Sequence, residues 1–171
     1  ARYDLGDLPG AEKHLRRAIE REPSHADAHY YLGLLLDGRQ DTRGATVAFL
    51  QAREADLRAP SPQWSLPAAQ FEQRAQAAVL RLDSDARGLL EGALVAVCDA
   101  PGAEVVAEGV DPRIGLLFDD VRKEGPTTRV GRVFLYQKNV ERFAAHQAEI
   151  EAVLRPALEA EIAAERALAP Q

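Results

Sequence analysis

The chain has 171 residues and is poor in several residue types, and each shortage excludes something. A lone cysteine, Cys98, rules out an internal disulfide and any zinc cluster built from cysteines. It stands in the apolar run LVAVC, which predicts a buried structural thiol rather than a nucleophile. Positive charge is short. Lysine occurs only at Lys13, Lys123 and Lys138, and the net charge is −6. Such a chain lacks the basic face that nucleic acid or an anionic membrane requires, so neither is expected as a partner. No apolar run reaches the length of a membrane span, and no signal peptide is visible, so a cytoplasmic location is expected. Methionine is absent and the first residue is Ala1, which reads as an excised or processed piece. There is no Gly-rich phosphate loop, no G-x-S-x-G elbow and no Cys–His pair in a plausible context.

What the first third does contain is a repeat. Residues 26–59 read ADAHYYLGLLLDGRQDTRGATVAFLQAREADLRA. Ala28, His29, Leu32, Gly33, Leu36, Asp41, Ala45, Phe49 and Ala52 follow one 34-residue pattern. Gly6-Asp7, Ala11, Leu15, Ala18 and Pro23 return one period earlier. The small residues let two antiparallel helices approach, and Leu32, Leu36 and Phe49 fill the seam. Pro23 stops one helix, and Ser24 or Asp27 can begin the next. The stretch resembles a tetratricopeptide repeat. Leu57 replaces the usual proline, so the array is expected to end there, and the first copy lacks most of its first helix. Arrays this short are marginal alone, so the C-terminal part is expected to pack against the stub.

The resemblance implies a peptide groove on the first helix of the pair, lined here by Asp27, Tyr30, Leu34 and Asp37. A protein or peptide partner would place an apolar or aromatic side chain against Tyr30 and Leu34. The competing reading is that Tyr30 and Tyr31 pack against a neighbouring helix. The face lacks the Lys/Arg/Asn set that clamps a terminal carboxylate. His25 and His29 have zinc-binding spacing, but a structural role is preferred: His25 lies at or before the helix start and His29 at a packing position.

Residues 60–67, PSPQWSLP, read as a Pro-rich linker, with Trp64 and Leu66 candidates for pinning between domains. Beyond it, 68–82 has helical spacing through Phe71, Ala75, Ala78, Val79 and Leu82. LVAVC at 94–98 reads as a buried strand, 103–108 as a short helix, IGLLF at 114–118 and RVGRVFLY at 129–136 as strands, with a bulge expected at Gly131. From Lys138 to Ala169 the chain reads as helical, with Pro156 marking a kink or a new start.

In order, the helix from Phe71, LVAVCDAP, GVDPRIGLLFDD, RVFLYQKNVERFA and the last helix resemble the minimal-zincin family of bacterial zinc metallopeptidases over about residues 68–171. That family carries His-Glu-x-x-His-x-x-Gly on its last helix. The resemblance lays the two histidine positions on Ala160 and Ala164, the glycine on Ala167 and a third ligand on Pro170. None of these can hold zinc, and only Glu161 persists, as a possible relic of the general base. Ala157, Ala160, Ala164 and Ala167 share one helical face, as a former cleft closed by packing would. Leu154, Leu158, Ile162 and Leu168 form the other stripe. Chance also produces such a pattern in an Ala/Glu-rich helix. Glu161 with Glu165 supplies too few oxygens for calcium, and Asp119-Asp120 reads as a solvated turn.

The expected architecture is therefore all-α tetratricopeptide repeats over 1–59, a linker over 60–67, and a degenerate α+β zincin-like domain over 68–171 with a small sheet and a C-terminal helix. The expected function is a non-catalytic interaction or scaffold module with no cofactor and no bound metal. The competing expectation is a peptidase-like hydrolase with a remodelled or metal-free site, in which Glu161 converges with Asp119, Asp120 or His146.

Overall fold

Helices α1 (Leu8–Arg21), α2 (Ala26–Asp37), α3 (Thr42–Arg58), α4 (Ala68–Leu80) and α5 (Ser84–Leu90) precede strand β1 (Leu94–Cys98). Helix α6 (Ala103–Ala107), strands β2 (Leu116–Glu124) and β3 (Thr127–Tyr136), and helices α7 (Gln137–Phe143) and α8 (Ile150–Ala167) follow. The computed structural model describes residues 8–124 and 127–167. Gly6, Asp7, Leu168 and Pro170 lie outside the described residues. The chain divides into two compact units: Ala1–Pro60 with Pro101–Arg113, and Ser61–Ala100 with Ile114–Gln171. The sequence expectation ran the second domain unbroken from residue 68; in the structure 101–113 clusters with the first unit.

In the first unit α2 and α3 pack side by side. Gly33 allows this. A Cβ there would stand 2.5 Å from the Phe49 ring. The apolar cluster contains Leu32, Leu36, Ala45, Ala48, Phe49 and, from α6, a fully buried Val106. Burying one such valine contributes about 2 kcal/mol. The start of α2 differs from expectation. Its N-cap is His25, whose Nδ1 accepts the Ala28 N–H at 3.3 Å, not Ser24 or Asp27. His29 hydrogen-bonds the Pro23 carbonyl through Nε2 at 2.8 Å. Asp41 caps α3 by accepting from the Gly44 N–H.

The second unit is built on a three-stranded sheet of order β1-β3-β2, with β1 parallel and β2 antiparallel to β3. Helix α8 packs on α4, α7 and β2, and Leu154, Leu158 and Ile162 enter the core. Leu66 and Trp64, from the Pro-rich stretch, belong to this core. The Leu66 N–H donates to Glu141 Oε1 at 3.1 Å, and Gln137 Nε2 donates to the same oxygen at 2.8 Å.

Five expectations need correction. β1 is not a buried strand: it lies at a sheet edge with one neighbour, and Leu94, Val95 and Cys98 are exposed. Cys98 is therefore no buried thiol. Gly131 is not a bulge, because the pairs Asp119↔Arg132 and Val121↔Val130 flank it in one unbroken register. What Gly131 supplies is room, since Asp120 opposite has φ 53° and its Oδ2 would meet a Cβ at 2.5 Å. The new helical start follows a break at 144–146, and Pro156, expected as a kink or a new start, begins no helix because it lies inside α8. There Glu149 Oε2 accepts the Ala145 N–H at 2.8 Å and fixes the new start. The alanine face of α8 is not closed by packing: Ala160, Ala164 and Ala167 are exposed. A helix buries its larger apolar stripe first, since Leu and Ile remove more apolar area from water.

Candidate functional site

Glu161 of α8 faces the Phe118 backbone of β2. Glu161 is half-buried on α8, between the exposed Ala160 and the core residue Ile162. Burial pushes its carboxyl pKa up, the Phe118 backbone N–H pulls it back, and the Glu165 charge adds to the rise. The expected companions are engaged elsewhere. Asp119 pairs with Arg132 at 2.7 Å, Asp120 with Arg122 at 2.7 Å, and His146 with Glu149 at 3.4 Å. Among the described residues no three His, Cys, Asp or Glu side chains group as a metal site would need.

A different constellation forms within the first unit. Gly109 follows the end of α6 with a φ of 103° that suits glycine, and the Val110 N–H bonds the Val105 carbonyl. The chain then turns through Asp111-Pro112-Arg113. Asp111 Oδ1 accepts the Arg113 N–H at 2.8 Å, a local turn that aspartate favours. This turn delivers Arg113 onto α2 and α3. Its Nε donates to Asp56 Oδ2 at 2.8 Å, and Nη2 donates to Asp56 Oδ1 at 3.2 Å and to Asp27 Oδ1 at 2.8 Å. Its Cζ lies 4.3 Å from the centre of the Tyr30 ring. The Tyr30 hydroxyl in turn donates to Asp111 Oδ2 at 2.8 Å. Arg53 adds a bond to the Pro101 carbonyl.

Each part matches guanidinium chemistry. The planar fork takes a carboxylate with two nitrogens, and the cation rests on an aromatic face. Arg113 and Asp56 are both nearly closed to solvent, at 8% and 7% side-chain exposure, whereas Asp27 is 58% exposed. Burial favours loss of the Arg113 proton, but the hydrogen bonds and charges of Asp56 and Asp27 more than offset it. The guanidinium stays charged. Burial, then the bond to Asp111 and its charge, push the Tyr30 hydroxyl pKa up, so the phenol stays a donor.

Of the expected groove residues, the structure brings Asp27 and Tyr30 to this site. Leu34 packs against the α2–α3 core, and Asp37 is exposed at the end of α2. Tyr30 also meets Tyr31 edge-on at 5.7 Å and Phe49 at 6.0 Å, so its packing and polar roles coexist. Asp56, Asp111 and Arg113 were not among the expected site residues. The one sequence signal for them is the Asp-Pro-Arg turn placed after a glycine.

Compared with family models, curated proteins and solved structures, the chain matches none. Among the described residues no helix is long and apolar enough to cross a membrane.

Proposed function

We propose that this chain is a non-catalytic protein-interaction module: tetratricopeptide-like helices joined to a degenerate zincin-like α+β domain. The observation that carries the reading is the Arg113 site. A helical face that grips an Asp-Pro-Arg turn through Asp27, Tyr30 and Asp56 has the chemistry of a peptide-recognition surface. The alanines at 160 and 164 cannot ligate zinc, which fits loss of the peptidase chemistry that the zincin likeness implies.

A second reading is a hydrolase that uses Glu161, and one observation favours it. Glu161 is half-buried against the Phe118 backbone, and burial raises its carboxyl pKa, the direction that general acid–base use of a carboxyl group requires. Panning a peptide library over the Arg113→Ala chain, in which the Asp27–Asp56 site is open, and over that chain with Glu161→Ala added separates the two. The module reading expects peptides captured and released intact by both proteins. Cleavage that depends on Glu161 would overturn it, as would no capture at all.

A further inference from the structure

Three features of the Arg113 contacts bear on recognition. The guanidinium makes a two-point bond to Asp56, one bond to Asp27, and a stack on Tyr30. The arriving segment is a turn rather than a helix or strand, and it carries its own geometry through the Asp111–Arg113 bond. The receiving side chains come from α2 and α3, far from 111–113 in sequence, and one of them, Asp27, remains largely open to water. An arriving guanidinium can therefore meet Asp27 before it loses its hydration.

Resting on the peptide-recognition reading above, we infer that the α2–α3 face is an arginine-reading site. The chain's own Asp111–Arg113 turn holds it closed. Its outside ligand is a peptide bearing an arginine two residues after an aspartate. The arginine takes the place of Arg113 between Asp27 and Asp56, and the aspartate takes the place of Asp111 at the Tyr30 hydroxyl. Lysine does not replace it, because an ammonium cannot span both Asp56 oxygens and lie flat on the ring. Because the internal turn is tethered, and Pro112 within it is fully buried, it outcompetes free peptide and masks the site in the resting chain. The device is an intramolecular stopper, and the site opens to partners only when the turn leaves.

Fluorescence anisotropy tests this with a labelled octapeptide of sequence EGVDPRIG and the whole chain. Arg113→Ala is expected to bind it saturably, about a hundredfold more tightly than the unaltered chain. The lysine version of the peptide should bind at least about tenfold more weakly. Asp56→Asn added to Arg113→Ala should abolish the preference for arginine. If Arg113→Ala is unfolded by itself, the octapeptide should restore its helical circular dichroism, since a ligand that binds only the folded form draws the chain toward it. A folded Arg113→Ala chain that ignores the octapeptide overturns the inference, as does an unfolded one that the peptide fails to restore. Equal binding of the arginine and lysine peptides also overturns it. A library that yields captured peptides without arginine would sink this inference and leave the interaction-module reading standing. A library that yields none would sink both.

Discussion

The Arg113 guanidinium lies 4.3 Å from the centre of the Tyr30 ring, while the Tyr30 hydroxyl donates to Asp111, two residues before that same arginine. One aromatic side chain thus holds both ends of a turn, its face to the cation and its rim to the anion. The energetic weight falls on Asp56, because the Arg113–Asp56 pair is almost fully withdrawn from solvent. Removing one partner of such a pair costs far more than removing both.

Arg113→Ala is therefore expected to destabilise the chain by about 3–5 kcal/mol in chemical denaturation. The double change Arg113→Gln with Asp56→Asn should cost clearly less, because no buried charge is left behind. Additive costs across the two sites would show that the pair is not coupled.

Gly131 and Asp120 make a second coupled pair. A methyl at residue 131 would stand 2.5 Å from Asp120 Oδ2 and 2.9 Å from its Cβ. Gly131→Ala should cost about 1–3 kcal/mol, measured by thermal unfolding. Asp120→Gly relieves both the φ of 53° and the clash, so adding it should recover most of that loss. An unchanged melting temperature for Gly131→Ala would refute the steric account.

Cys98 is expected to react with a water-soluble thiol reagent in the native state, at one equivalent per chain. It is exposed on the edge strand β1. Reaction only after denaturation would mean that the thiol is covered.

The pH dependence of Glu161 has a definite sign. Its pKa is raised above the ordinary carboxyl value of 4.5, so the folded chain holds this proton more tightly than the unfolded one. Its contribution to stability is full below 4.5 and is lost as the pH rises through the raised folded value. Glu161→Gln should match the unaltered chain in acid and become relatively more stable toward neutral pH. Parallel denaturation series across pH check this, and the opposite trend would contradict it.

Much of the element order was legible in the sequence. Short apolar runs marked β1 and β3, and the helical spacing of Phe71, Ala75 and Ala78 marked α4. Helix α5 was missed because it is short, although Asp83 announces it by capping the Ala86 N–H at 2.8 Å. The second half of β2, DDVRKE, was missed because its polar residues carry no apolar alternation. The edge position of β1 was illegible for a different reason. An apolar run looks the same whether its strand has one neighbour or two. Tyr30 and Asp27 were named because the resemblance to a tetratricopeptide repeat implies a groove on the first helix of the pair. Asp56 and Arg113 were not, because a buried ion pair 57 positions apart leaves no local pattern.

The central claim, a binding module without peptidase chemistry, is tested most directly by zinc content and peptide hydrolysis measured together. The chain would be equilibrated with zinc, freed of excess metal, and assayed beside its Glu161→Ala variant. The account predicts no stoichiometric zinc and no turnover in either protein. One zinc per chain that disappears with Glu161→Ala, accompanied by cleavage that disappears with it, would contradict the account.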